Sequence, residues 1–278
     1  VTAEAAAARQ ARTSMTLKTP ITYGSYLKIP ELLSLQKPVS DGPEHDEMLF
    51  IVIHQVYELW FKQQLHEGQR VRSALLSGDA RTASVGLRRM LVILKTMVSQ
   101  IDVLETMTPI QFLSFRSFLE SASGFQSWQF RQFEFLMGKK SPRAIAIQAE
   151  GSPERAVLEQ AFREPTLWDA FLSMMARDGL EVPPALLARD VTQPVAPDET
   201  VQRSLLEAYR SHPAMRALCE LLLDFDEGVQ EWRYRHVKMV ERTIGFKQGT
   251  GGSSGAEYLR STLFTPAFPD LWAIRSAL

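Results

Sequence analysis

The chain has 278 residues, of which 45% are hydrophobic, 23% charged and 9% aromatic, a globular make-up that excludes a disordered, collagenous or low-complexity protein. Thirty-one basic against 32 acidic side chains leave a formal net charge of -1, so there is no electrostatic footprint for nucleic acid or an anionic membrane. The single cysteine, Cys219, excludes an intrachain disulfide and a thiolate-held zinc or iron–sulfur site. Its usage fits a reducing cytoplasm, and fits a cysteine-poor secreted protein almost as well.

The chain opens on Val rather than Met, so the native start is expected upstream. Residues 1–19 are Ala- and Arg-rich without an apolar h-region, and read as a disordered or loosely helical tail rather than a signal peptide. Residues 20–278 read as one domain. Nearly every apolar pattern has helical period and strict alternation is hard to find, which predicts an all-α fold built on long bundle helices. The expected helices cover about 44–76, 80–105, 109–121, 125–138, 153–163, 166–177, 199–210, 213–244 and 254–263. Two of them exceed the common helix length and suggest bundle-spanning elements. Eight of the 15 prolines fall between Pro142 and Pro213, so about 139–212 is expected to be an insertion of short helices. The longest clean apolar run, Met48 to Ile53, is far below the roughly 18 residues needed to span a bilayer.

Two histidines have unusual surroundings. In the last long helix Leu218, Leu222, Phe225, Val229, Trp232, His236 and Val240 recur at spacings of three and four, so His236 lies on the buried stripe. Such a histidine needs a partner: a backbone carbonyl in a plain core, or a metal. In the first long helix Phe50, His54, Tyr57 and Phe61 share one face, which sets a polar tip within an aromatic wall. His54 is either a satisfied core residue or a group poised for a ligand.

Metal motifs narrow the choice. There is no Glu-x-x-His for a ferritin-like di-iron site, no His-Glu-x-x-His, and no Cys-x-x-Cys-His for covalent haem. One buried histidine on a long helix does suffice for noncovalent haem, which takes a single proximal ligand in a large apolar pocket. Arg116 stands beside Phe112, Phe115 and Leu119, either as a bidentate partner for a carboxylate or as a surface arginine lying over Phe112. In GFKQGTGGSSGAEYL the glycines precede a helix start with a Ser254–Glu257 capping-box spacing, and Thr250 is placed to meet a small polar ligand unless the segment is a plain linker.

Four segments taken together, ITYGSYLKIPELLSLQ, HDEMLFIVIHQVYELWFKQQLHE, MTPIQFLSFRSFLESASGFQSWQFRQFEF and WRYRHVKMVERTIGFKQGTGGSSGAEYL, resemble the tryptophan 2,3-dioxygenase family in order and approximate spacing. The likeness runs from about Thr22 to the C-terminus and is weakest in the proline-rich stretch. It implies a cytoplasmic, all-helical homotetramer with noncovalent haem b, active as Fe(II), that inserts O2 across the indole C2–C3 bond of L-tryptophan to give N-formylkynurenine. The resemblance makes His236 the proximal haem ligand and sets Ser123 and Gly124 beside the haem. It makes His54 the distal catalytic residue that meets the indole N–H, with Phe50 packing on the ring. Arg116 pairs with the substrate carboxylate, and Thr250 stands near its ammonium and carboxylate. Tyr23, Tyr26 and Leu27 complete a neighbouring subunit's pocket. One departure is visible: some bacterial members carry Tyr where this chain has Phe112, so a hydroxyl contact to the carboxylate is missing.

Three other readings share parts of this pattern. A haem sensor or carrier needs His236 but no Arg116 clamp, an enzyme for other indoleamines relaxes the carboxylate contacts, and a structural scaffold explains only the apolar stripes.

Overall fold

The computed structural model describes residues 20–42, 44–245, 247 and 256–278, apart from the side chain of Tyr258. The chain divides into two compact units, Val1–Lys37 and Pro38–Leu278. In the first unit two short helices, α1 (Tyr23–Leu27) and α2 (Ile29–Leu32), follow one another. Thr22 starts α1 as a capping box with Ser25, and Lys28 turns the chain into α2 from the left-handed region, φ 55°.

In the second unit α3 (His45–Ser77) and α4 (Ala80–Leu104) form a helical hairpin. Gly78 ends α3 in the left-handed region, φ 82°, and Asp79 at once caps α4 by accepting the Thr82 amide at 2.9 Å. So short a reversal makes the two helices neighbours along their length. Two glycines set how closely they and their surroundings approach. A Cβ at Gly68 would fall 2.3 Å from Leu136 Cδ2, and one at Gly86 would fall 2.4 Å from Val71 Cγ2.

Next comes α5 (Pro109–Arg116), opened by a Thr108–Gln111 capping box and continued by a 3-10 turn, Ser117–Leu119, that breaks at Glu120, φ 48°. A second 3-10 turn, Gly124–Gln126, leads into α6 (Trp128–Leu136). The proline-rich stretch holds α7 (Pro142–Ala146), α8 (Pro153–Arg163), α9 (Leu167–Arg177), α10 (Pro184–Leu187) and α11 (Glu199–Ser211). The long α12 (Pro213–Ile244), then α13 (Ala256–Ser261), α14 (Pro269–Ala273) and a last 3-10 turn complete the chain.

The protein is all-α, and among the described residues there is no strand. Prolines stand in the first turn of α5, α7, α8, α10, α12 and α14, where the missing N–H costs nothing. Two expected helices, 109–121 and 125–138, are instead each an α-helix plus a 3-10 turn, because Glu120 and the Ser127 cap interrupt them. The short α1, α2, α7, α10 and α14 were not expected: four or five residues are too few to display a 3.6-residue period.

Helix α4 packs against α3 and α12, while α9 and α6 pack on α3. The largest core gathers Leu87, Met90, Leu222 and Phe225, with Trp168 stacked on Phe171 at 5.3 Å and on Phe268 at 5.6 Å. Burial of each such side chain contributes about 1.5–3 kcal/mol. Buried Asp226 on α12 ties down the C-terminal segment, accepting the Phe268 amide at 3.1 Å, the Trp272 indole N–H at 3.0 Å and the Ala267 amide. A smaller cluster, Phe61, Ile93 and Met97, extends to Tyr57, Phe130 and Trp232 and forms the floor of a cavity.

Candidate active site

The cavity holds about 300 Å3 and is walled by residues of the second unit from α3, α4, α5, the turn before α6, α6 itself, α12 and the α13 segment. Helix α3 contributes Phe50, His54 and Tyr57, α5 contributes Phe112 and Arg116, and the turn before α6 contributes Ser123 and Gly124. Helix α12 contributes Trp232, Arg233 and His236, α13 contributes Leu259, and Thr262 follows just beyond it.

The helical spacing of Phe50, His54 and Tyr57 turns one face of α3 into the cavity, as the sequence predicts. Phe50 lies 5.7 Å from Phe112 and 5.5 Å from Phe115, ring to ring, which makes a continuous aromatic wall. His54 sits 4.0 Å from Phe50, ring centre to ring centre. Its Nδ1 is 2.6 Å from the Phe50 carbonyl. A carbonyl only accepts, so Nδ1 carries the proton and Nε2 is left as the ring's acceptor. Burial holds the His54 pKa below its ordinary 6.5, against the opposing pull of the Phe50 carbonyl and Glu58. The ring is neutral at physiological pH.

His236 also faces the cavity, from α12. Trp232, one turn earlier, stacks on it with an angle of 1° between the planes and 5.3 Å between centres. Its ring makes no hydrogen bond among the described residues, which removes the plain-core reading in which a backbone carbonyl satisfies it. Burial pushes its pKa down to about 4, helped by the unfavourable electrostatics of a second protonated ring at His54 and of the Arg233 and Arg131 cations. It is therefore a bare, neutral imidazole with a lone pair to give.

The donor set decides what that lone pair can hold. Among the described residues no group of three His, Cys, Asp or Glu is placed to bind a bare ion. One imidazole in a large apolar cavity fits instead a metal that arrives with four ligands of its own, as in haem. Gly124 lines the same wall, and a Cβ there would meet nothing of the protein within 4 Å. The Ser123 hydroxyl caps the same turn by accepting the Phe125 amide at 3.3 Å.

Arg116 reaches the cavity from the end of α5, held there by the Thr108 cap that fixes where the helix starts. Tyr23, Tyr26 and Leu27 belong to α1 of the first unit and are 77%, 74% and 42% exposed. Thr250 and Ser254 lie outside the described residues.

Among the wall residues that sequence reasoning missed are Arg131, Glu134 and Arg233. The signal was present, because Arg233 stands one turn before His236 and Arg131 one turn before Glu134. It reads as ordinary surface charge until α6 and α12 are known to meet. Tyr57 was placed on the correct face, and its hydroxyl donates to the Met97 carbonyl at 2.6 Å, which spans α3 and α4.

A helical bundle that sets one bare imidazole and one tautomer-fixed imidazole in an aromatic cavity has the donor set of a protein class that holds a metal macrocycle through a single histidine. Comparison with known proteins gives the family. The profile described as Tryptophan 2,3-dioxygenase matches residues 6–178 and 200–278. A tryptophan 2,3-dioxygenase of Herpetosiphon aurantiacus is 58% identical over 258 residues, 93% of this chain and 98% of that protein. One from Anaeromyxobacter sp. strain K is 56% identical, covering 93% and 96%, and one from Caulobacter vibrioides is 44% identical, covering 93% and 98%. The chain belongs to the tryptophan 2,3-dioxygenase family, whose members depend on haem. Among the described residues no helix is long and apolar enough to cross a membrane.

Proposed function

We infer that this chain is a haem-dependent dioxygenase that opens the indole C2–C3 bond of L-tryptophan with O2 to give N-formylkynurenine, the first step of the kynurenine pathway. The observation that carries the reading, beside family membership, is the pair of neutral imidazoles in one aromatic cavity, one bare and one with its tautomer fixed. His236 would hold the haem iron, with Ser123 and Gly124 at the edge of the ring system. The haem is taken to be noncovalent haem b, active as Fe(II). When bound, it supplies activation of O2 at its iron.

The chain's own groups place the substrate. The amino-acid end is clamped by Arg116, whose guanidinium matches a carboxylate bidentately, and by Thr250. Phe50 packs on the indole. His54 Nε2 accepts the indole N–H and orients the ring, and its low basicity favours this over proton removal. Fixing both ends of tryptophan turns a two-body encounter into a near-attack arrangement. Phe112 offers no hydroxyl, so the carboxylate depends on Arg116 and Thr250. The catalytic unit is taken as residues 20–278, with about 139–212 an insertion, and as a cytoplasmic homotetramer. Tyr23, Tyr26 and Leu27 would complete the pocket of a neighbouring copy; their exposure in the single chain supports this.

The test is turnover. Haem-loaded protein with L-tryptophan and O2 should accumulate N-formylkynurenine, and His236→Ala should lose its haem and its Soret band. A colourless wild-type protein, or a coloured one that leaves tryptophan unchanged, contradicts the reading. Equal turnover of tryptamine contradicts the Arg116 clamp.

A further inference from the structure

One buried ionic cluster on the cavity wall is not among the residues proposed to hold the amino acid. Glu134 on α6 lies between two guanidinium groups, Arg131 Nη1 at 2.5 Å from one carboxylate oxygen and Arg233 Nη2 at 2.6 Å from the other. The three side chains are 11%, 12% and 8% exposed in the order Arg131, Glu134, Arg233, and all three line the cavity. Two cations answer one carboxylate, so the cluster carries a fixed net charge of +1. Both guanidinium groups also sit against the Phe130 ring, Arg131 at 5.1 Å and Arg233 at 5.8 Å from its centre.

Stability does not account for it. Buried ion clusters are commonly no better than apolar residues of the same volume, and the α6–α12 contact already has apolar pairs such as Phe133–Phe225, 6.1 Å between ring centres. Arg233 Nε is buried with no hydrogen-bond partner among the described residues, an unpaid cost that a purely structural bridge would avoid. Position gives the reason. Arg233 is one turn before His236 on α12, so the two side chains leave the same face. Charge in this wall is shielded by little water and acts across the cavity.

We propose that Arg131, Glu134 and Arg233 set the electrostatic field at the metal held by His236, favouring its reduced over its oxidised state. The proposal rests on the haem reading above. Reduction lowers the charge at the iron by one unit, so a fixed positive charge beside it raises the energy of the ferric state more than that of the ferrous state. The electron comes from an external one-electron donor, and the cluster shifts only the equilibrium. These are positioning residues: they act through His236 and through space, and touch no substrate.

The test is the haem midpoint potential of the holoenzyme, read by spectroelectrochemical titration in four variants beside wild type. Arg233→Gln and Arg131→Gln should each lower the ferrous-to-ferric ratio at a fixed potential about tenfold, ~59 mV for one electron. Glu134→Gln should move it in the opposite direction, and Arg233→Lys should restore the wild-type value. A loss of packing would move the Gln variants in one common direction, whereas a field reverses sign with the charge removed. Shifts of equal sign for Glu134→Gln and the arginine variants, or no shift, overturn the proposal and leave the haem assignment standing. Wild-type protein that takes up no haem is visible before any titration and overturns both.

Discussion

At residue 54 the function of a side chain turns on one carbonyl. Because Phe50 C=O occupies Nδ1, the ring has a single acceptor to offer, and it keeps that acceptor only while neutral. Its pKa lies below 6.5, so protonation in the folded protein begins at lower pH than for a free histidine. We therefore expect kcat/KM for tryptophan to fall in acid solution with a midpoint below that of a free histidine, as Nε2 gains a proton and can no longer accept. A steady-state pH profile reads this; a decline already centred near neutral pH would assign the step to another group. His54→Ala should keep haem but lose discrimination between tryptophan and an analogue lacking the indole N–H. Arg116→Ala should weaken tryptophan binding by about 2–5 kcal/mol, because the substrate carboxylate is left without its cation. An unchanged KM there removes Arg116 from the clamp.

Single residues also decide how helices meet. Asp226 is one carboxylate that satisfies three buried donors from the C-terminal segment. Asp226→Ala leaves the amides of Ala267 and Phe268 and the Trp272 indole unpaired, and should destabilise the protein by about 3–5 kcal/mol in denaturant melts. Gly68 lets α6 close on α3, and the Leu136 side chain already occupies the space a methyl would need. Gly68→Ala should cost about 1–3 kcal/mol despite the better helix propensity of alanine, and a gain in stability would show that Leu136 yields freely. The sequence marks both positions only faintly, an acid and a glycine within long helices, because what they touch lies 40 or more residues away.

For the whole molecule, the first unit is the part whose proposed role depends on assembly. Its tyrosines are bare in a single chain, and the proposed function gives them to a neighbour. Removal of residues 1–37 should therefore leave haem loading intact while raising the KM for tryptophan at least about tenfold, measured by steady-state kinetics alongside light scattering. Unaltered kinetics would separate α1 from the substrate pocket.

Long-period amphipathic patterns settled the all-α fold, the two long helices, and the faces carrying His54 and His236, because a helix's inward stripe is written in its own local spacing. The prolines likewise marked helix starts, since their constraint on φ acts within one residue. The tautomer of His54 rests on the Phe50 carbonyl one turn earlier, a side-chain geometry that spacing alone does not give. The lack of a hydrogen-bond partner on His236 among the described residues and the meeting of Arg131 and Glu134 with Arg233 are set by contacts between elements far apart in the chain. The short helices α7, α10 and α14 belong with these: below two turns, packing rather than propensity holds a helix together, and packing partners are supplied only by the completed fold.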